Sequence, residues 1–204
     1  MARNRDPFSL ALLTLRQLAS DGVFAPDRPI VILDEARRLR LSTTPIREAL
    51  AWLGGEGMIE RAPNGGYMGL RQDVSSVIGR YRLRFRLLSA ALSDDDEPVA
   101  IRAAAESKPL RDVFATIVRL QGDDVLWRAY ERVARQLAWL EDAEAMAIPD
   151  LGKEAEALHA AMSGDRSALI SALSGFHRRL TSATPAILIA AHRPGPYPDV
   201  GDPS

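Results

Sequence analysis

The chain has 204 residues, 47% of them hydrophobic and 26% charged, so it can bury one large core or two small ones. Its net charge of −1 excludes a polycation, and the absence of cysteine excludes disulfides and thiolate chemistry. No apolar run reaches the roughly 18 residues of a membrane span. The N-terminus lacks the apolar segment of a signal peptide. We therefore expect a cytoplasmic protein with no membrane partner.

The first third of the chain has the pattern of three helices. Asp6-Pro7 is a typical helix start, because aspartate caps free N–H groups and proline lacks one. Apolar residues at helical spacing follow, and Pro26 and Pro29 are expected to end this element. Two more helices are predicted at residues 34–39 and 43–54, and the apolar segment 30–33 is either extended or leads into a helix.

A hairpin is predicted directly after the third helix. Met58–Arg61 and Tyr67–Leu70 are short strand candidates that flank the sequence APNGG. The Asn-Gly step in that sequence tolerates the positive φ that a tight hairpin needs. Residues 1–71 therefore read as three helices and a small β-hairpin.

The rest of the chain is predicted to be helical. Arg80–Arg86 alternates like a strand, but it lies inside a longer helical pattern without turn signals, and we interpret it as helix. The tail, residues 193–204, is rich in proline and glycine and is expected to be disordered. Residues 72–192 thus form an all-helical part, with helices predicted at 74–92, 98–107, 109–121, 123–146, 150–163 and 165–182.

The third helix has two different faces. Its apolar stripe follows the i, i+3, i+4, i+7 spacing and consists of Ile46, Ala49, Leu50 and Leu53. Thr43, Thr44 and Arg47 lie on another face, near the N-terminus of the helix. Free N–H groups and the helix dipole at such an end attract a phosphate. An arginine one turn further could bind guanine O6 and N7.

These residues resemble the winged helix-turn-helix of the GntR family of bacterial transcription regulators. The resemblance is carried by Ser42–Leu50, which reads STTPIREAL, by Glu56–Glu60 (EGMIE), and by Gly65–Tyr67 (GGY). It covers about residues 7–70. It implies a mostly α chain in which an N-terminal winged helix-turn-helix with a β-hairpin wing precedes a C-terminal antiparallel helical bundle.

The resemblance also implies which residues contact DNA. Two departures matter: Thr43 stands where the family commonly has arginine, and Arg40 occupies a turn position often held by glycine. Arg40 therefore brings either backbone strain or a replacement for the missing charge. Arg37 and Arg38 add phosphate contacts or are only a solvated helix face. The full implied set is Ser42, Thr43, Thr44 and Arg47, with Arg37, Arg38 and Arg40, and the wing residues Asn64, Gly65, Gly66 and Tyr67.

Residues 73–192 resemble the FadR-type C-terminal domain, which dimerises and holds a small acidic ligand. Many members bind a metal with one aspartate and three histidines. Asp123 matches the aspartate, but Trp127 and Glu154 stand where two of the histidines fall. His177 is one residue out of register with the third. We therefore expect no metal, with Asp123, Glu154 and His177 as the only remaining set that could hold one.

Without a metal, the ligand would need a different clamp. Arginine is the natural substitute, because its guanidinium pairs with a carboxylate. Arg128 and Arg132 lie on one face of a helix and are expected to face water. The candidate ligand-binding residues are Arg80, Arg84, Asp123, Trp127 and His177.

Together these patterns predict a sequence-specific DNA-binding transcription regulator. It would act as a homodimer, most simply a repressor, on a double-stranded operator, under the control of a small acidic effector. The alternative is a winged-helix protein–protein adaptor with a scaffold-like helical bundle. An enzyme is not expected, because the sequence has no phosphate loop, nucleophile elbow, HExxH motif or cysteine.

Overall fold

The computed structural model describes residues 6–25, 28–70, 73–92, 109–162 and 165–191. In these ranges the chain is mostly helical and contains one two-stranded antiparallel sheet, as the sequence predicts. Among these helices, none combines the length and the apolar character that crossing a membrane requires. The predicted helix at 98–107 and the predicted disordered tail at 193–204 lie outside the described residues.

The N-terminal module is a winged helix. Asp6 caps the first helix by accepting a hydrogen bond from the Ser9 N–H at 3.2 Å. The helix ends before Pro26, at a turn where Gly22 has φ of 69°. In segment 30–33, Val31 has extended backbone, the Ile30 N–H donates to the Tyr67 carbonyl at 2.7 Å, and a helix begins at Ile32. The elements are α1 (Pro7–Ser20), α2 (Ile32–Leu39), α3 (Thr43–Glu56), β1 (Ile59–Arg61) and β2 (Tyr67–Gly69).

The core of this module is built on the predicted stripe of α3. That stripe is fully buried, and α1 packs against it. Ala11 and Leu15 of α1 and Ile59 of β1 complete the contact from the neighbouring elements. Burial of the stripe fixes the rotation of α3, so its opposite face points to solvent. The stripe residues, each with 0% exposure, are Ile46, Ala49, Leu50 and Leu53.

The remaining helices form a bundle with its own core. The segment Arg80–Arg86 is helical, as predicted. The fourth helix packs against the last one, and both supply core residues such as Tyr81, Leu88, Leu173 and Leu180. The elements are α4 (Val74–Ala91), α5 (Leu110–Leu120), α6 (Asp124–Leu137), a 3-10 turn (Ala138–Leu140), α7 (Glu141–Ala147), α8 (Leu151–Ala161) and α9 (Arg166–Ala191).

Two helix predictions were wrong in extent. The helix predicted at 123–146 is broken by the 3-10 turn, where side chains three apart eclipse, so Leu137 and Leu140 both face the core. The last helix does not end at 182 but runs through Pro185 to Ala191. Pro185 is exposed, and the buried residues that follow it hold the helix together across the missing hydrogen bond.

The N-terminal module is docked on the bundle at two points. At the end of α1, a Cβ on Gly22 would lie 3.5 Å from the Cβ of Trp139. At the end of α3, the Gln136 side-chain amide donates to the Gly57 carbonyl at 2.9 Å. Module and bundle are therefore linked by side-chain contacts as well as by the connecting chain.

Candidate nucleic-acid interface

The N-terminal tip of α3 is exposed and its backbone donors are not capped. Ser42 occupies the cap position with extended backbone, and its hydroxyl forms no cap hydrogen bond with the described residues. Ser42 and Thr44 are exposed, Thr43 is half-buried, and Pro45 is buried in the first turn. The tip therefore offers hydroxyls and free amide N–H groups at the positive end of the helix dipole.

Arg47 lies on the same exposed face, one turn into α3. Its side chain is exposed, and within the described part of the chain it makes no ion pair or hydrogen bond. The neighbouring Ile46 and Leu50 are fully buried, so the backbone that carries the guanidinium is held firmly. This arrangement presents a cation on a rigid support, and no acidic side chain of the described ranges is paired with it.

Arg40 has the left-handed backbone conformation expected of glycine. Its φ is 54° and its ψ is 42°, and it is the one non-glycine residue with positive φ among those that the structure describes. The turn is closed by the Leu41 N–H, which donates to the Ala36 carbonyl at 3.0 Å. The Arg40 side chain is exposed. Strain and free charge therefore occur together at this residue.

The two arginines of α2 differ in how freely they could reach a phosphate. Arg38 donates to the carboxylate of Glu35 from Nε at 3.0 Å and also from its terminal nitrogen. Arg37 lies 3.6 Å from Asp34, and both of these side chains are largely exposed. Arg38 is held within its own helix, whereas the loose surface pair of Arg37 yields readily to a stronger partner.

The wing is a short hairpin with its turn at the surface. Arg61 pairs with Tyr67, and the Ala62 N–H donates to the Gly66 carbonyl at 3.2 Å. The positive φ expected at the Asn-Gly step falls instead on Gly65 and Gly66, with φ of 90° and 80°, because glycine adopts this conformation at no steric cost. Asn64 is exposed at the tip of the turn.

Tyr67 and Arg61 have roles that the sequence did not reveal. The Tyr67 ring packs on α3 so closely that a Cβ on Gly54 would lie 2.8 Å from its Cε1. The ring therefore anchors the wing to α3. The exposed Arg61 guanidinium lies 6.0 Å from the ring centroid and is the cation of the wing. Pairing the two predicted strands in register would have placed Arg61 opposite Tyr67.

In the bundle, Arg84 and His177 bind each other. His177 is buried, its Nδ1–H donates to the Leu173 carbonyl at 2.8 Å, and its Nε2 accepts from Arg84 Nε at 3.1 Å. Burial, together with the Arg84 charge, lowers the pKa of His177 to about 3. The imidazole is therefore neutral. Aromatic rings surround it, with centroids 5.5–5.8 Å away, from Phe85, Phe114 and Phe176.

A second buried pair lies near Arg84. The Tyr81 hydroxyl donates to Glu144 Oε1 at 2.7 Å. Burial raises the pKa of Glu144, while the positive charge of Arg84 opposes that rise. Burial also raises the pKa of Tyr81. The interior of the bundle thus contains a polar group formed by Tyr81, Glu144 and His177, in which Arg84 is the cation.

The remaining metal set of the sequence analysis is not brought together. Asp123 is exposed and caps α6, accepting from the Val125 N–H at 2.7 Å. Glu154 pairs with Arg179 at 3.2 Å, and His177 is bound to Arg84. Over the described ranges, no three His, Asp or Glu side chains form a cluster that could hold a metal ion.

The other candidate ligand residues have different surroundings. Trp127 lies under the Arg119 guanidinium, 4.2 Å from the ring centroid to the cation, and Asp123 is on the surface. Arg80 is half-buried on α4. Of the two arginines expected to face water, Arg128 is exposed. Arg132 is exposed too, but it also reaches the Gly55 carbonyl at 3.5 Å.

Solved structures share this architecture over nearly the whole chain. A Rhodococcus sp. RHA1 protein designated transcriptional regulator GntR matches with a TM-score of 0.65 at 17% identity, over 91% of this chain and 99% of that chain. The chain has the fold of a GntR-family regulator. Escherichia coli McbR/YncC matches with a TM-score of 0.62 at 16% identity, over 88% of this chain and 97% of that chain.

A third structure with this GntR-type fold is that of Listeria monocytogenes Lar, described as controlling expression of the agr system. It matches with a TM-score of 0.57 at 12% identity, over 89% of this chain and 98% of that one. No family model and no curated protein matches the sequence. These similarities establish the shared fold of module and bundle.

Proposed function

We propose that the chain is a sequence-specific DNA-binding transcription regulator of the GntR type. The observation that carries the proposal is the tip of α3, where exposed hydroxyls, uncapped N–H groups and Arg47 stand above a fully buried stripe. Regulators with the same fold make DNA the most natural partner for such a tip. The hydroxyls and free N–H groups suit phosphates, and Arg47 suits the edge of a base.

Each part of the interface has a defined task in this proposal. The hydroxyls of Ser42 and Thr44 and the first-turn N–H groups hold phosphates, which fixes α3 in the major groove. Arg47 donates to a base edge, best of all guanine O6 and N7. Arg40 and the wing residue Arg61 contact the phosphate backbone on either side. The missing arginine at Thr43 makes this operator differ from those of relatives.

The proposal includes a homodimer, because one module of this size reads too few bases for a specific site. Two copies on a two-fold symmetric operator double the contacts and set a fixed spacing between half-sites. The helical bundle would pair the copies in the cytoplasm, and binding would repress transcription. A small acidic effector would bind in the bundle at Arg84, the cation of the buried polar group. This binding would need no metal.

The proposal is tested by selecting bound fragments from the source genome with the purified chain. The selected duplex is then titrated with the wild type, with Arg47→Ala, and with Arg128→Ala as the matched control on α6. We expect Arg47→Ala to weaken binding at least about tenfold, since a bidentate arginine–guanine contact is worth about 1–3 kcal/mol. Arg128→Ala should bind as the wild type does. Unchanged affinity of Arg47→Ala, with the dimer intact, would contradict the docking.

Salt separates this function from the adaptor alternative. Phosphate contacts release counterions, so the logarithm of the binding constant falls linearly as the logarithm of salt rises. We expect the selected duplex to show this steep loss of affinity. An adaptor would select no common sequence and would bind any duplex weakly, because it needs no base contact.

A further inference from the structure

Two side chains of α6 hold the C-terminal end of α3. Gln136 Nε2 donates to the Gly57 carbonyl at 2.9 Å, and Arg132 Nη2 donates to the Gly55 carbonyl at 3.5 Å. Arg132 and Gln136 are four residues apart, so they project from the same face of α6. We call this pair of hydrogen bonds the clasp.

The clasp is chemically matched to the end of a helix. The last carbonyls of α3 have no partner inside the helix and carry its negative dipole end. A cation and an amide donor suit them well. The contact is also close: a Cβ on Gly57 would lie 3.0 Å from nitrogen atoms of both Arg132 and Gln136. Glycine is required there twice, for this approach and for its φ of 70°.

The other side of α6 is fixed in the bundle core. Tyr130, Val133 and Leu137 are each no more than 2% exposed. Tyr130 belongs to the same buried core cluster as Tyr81. One helix therefore touches both the interior of the bundle and the end of the helix that carries Arg47.

We propose that Gln136 and Arg132 are positioning residues that set the orientation of α3 relative to the bundle. In a dimer, this orientation decides the spacing and tilt of the two α3 helices on DNA, so the clasp determines which half-site spacing is accepted. A shift of α6 caused by a ligand in the bundle would be transmitted through the same contact. This inference rests on the proposed function where it concerns DNA.

The first test measures orientation without DNA. The chain contains no cysteine, so spin labels can be placed at Ala51→Cys on α3 and Glu156→Cys on α8, both exposed positions. Labelled chains are diluted with unlabelled ones, so that only distances within one chain are observed. We expect Gln136→Leu with Arg132→Ala to broaden the distance distribution about twofold, because the α3 end is released.

The control is Arg128→Ala, which removes an exposed arginine one turn away on α6 that makes no hydrogen bond or ion pair in the described part of the chain. It should leave the distribution narrow. Equal widths in the wild type, the control and the clasp variant would overturn the positioning role, whether or not the chain binds DNA.

The second test uses the selected operator with its half-sites moved apart or together by one or two base pairs. We expect the wild type to lose about tenfold in affinity when the spacing changes, because α3 must reach the groove at a fixed angle. The clasp variant should accept the altered spacings with less than about a threefold loss, while its dimer and its melting curve stay close to wild type. A wild-type spacing preference in the clasp variant would overturn the link to DNA. If the wild type selects no DNA, the proposed function is overturned. The distance measurement alone then decides the positioning role of the clasp.

Discussion

Arg40 combines a strained backbone with an exposed charge. A left-handed backbone costs a residue with a Cβ about 1–2 kcal/mol relative to glycine. The turn between α2 and α3 requires that conformation, with Arg40 at φ of 54°. Arg40 is exposed and lies in the turn that leads to Ser42, the cap of α3. Retaining arginine there is understandable if its charge contacts a phosphate.

Arg40→Gly should therefore stabilise the protein while weakening DNA binding. We expect the free energy of unfolding to rise by about 0.5–1 kcal/mol, because relief of strain exceeds the added flexibility of the unfolded chain. Affinity for the selected duplex should fall severalfold, with a smaller salt dependence. Denaturant titration measures the stability, and duplex titration measures the affinity. Arg37→Ala, which removes an exposed arginine of α2, serves as the comparison for both. A loss of stability in Arg40→Gly would contradict the strain argument.

The buried His177 is expected to make the stability of the protein depend on pH. Its folded-state pKa of about 3 lies below the ordinary value of 6.5. Between these values the unfolded chain binds more protons than the folded chain, so stability falls as pH drops below 6.5. Glu144 acts in the opposite sense, because its raised pKa means that the folded chain holds a proton more readily.

His177→Gln isolates the histidine contribution. Gln offers an acceptor for Arg84 but does not titrate. We expect the wild type to lose up to about 2 kcal/mol more stability than the variant between pH 7 and pH 5. Denaturant unfolding at several pH values measures the difference. Equal losses in the two proteins would show that His177 is accessible to protons in the folded state.

The position of the wing is fixed by its close approach to the backbone that precedes α2. The Gly69 N–H donates to the Ala25 carbonyl at 3.1 Å. A Cβ on Gly69 would lie 1.9 Å from the Phe24 carbonyl oxygen. No side chain fits between these two backbone segments, so glycine at this position fixes the wing on the module.

Gly69→Ala should therefore displace the wing. We expect a loss of about 1–3 kcal/mol in stability, as for overpacking elsewhere, together with weaker duplex binding. The matched control is Gly55→Ala on α3, where an added Cβ meets nothing within 4 Å. That change should raise the free energy of unfolding by about 0.4–1 kcal/mol. Thermal melting compares the two; a neutral Gly69→Ala would show that the wing relaxes freely.

Local signals in the sequence predicted the N-terminal elements well. The Asp6 cap, the apolar stripe of α3 and the turn at Gly65 each depend on residues within a few positions of one another. The end of the last helix and the break after Leu137 were predicted wrongly, because burial against distant helices decided them. The two hydrogen bonds of the clasp join residues 79 and 77 positions apart, and Arg84 and His177 are 93 positions apart. No local pattern reveals such contacts.

The two cores of the molecule are linked by α6 and by the 3-10 turn that follows it. The N-terminal core fixes the rotation of α3 and leaves Arg47 exposed. The bundle core surrounds Arg84 with His177, Tyr81 and aromatic rings. The candidate DNA interface and the interior of the bundle are thus connected through the contacts between α6 and α3. The proposed recognition of DNA depends most on Arg47, because the other proposed contacts serve to place its side chain against a base.

The most direct test of that role is a base-substitution scan of the selected operator with the wild type and Arg47→Ala. The wild type should discriminate at one base pair per half-site by about 1–3 kcal/mol, and Arg47→Ala should lose discrimination at that pair alone. Dissociation constants for each substituted duplex, at one fixed salt concentration, give the comparison. If Arg47→Ala keeps the full discrimination pattern of the wild type, Arg47 does not read a base and the account is wrong.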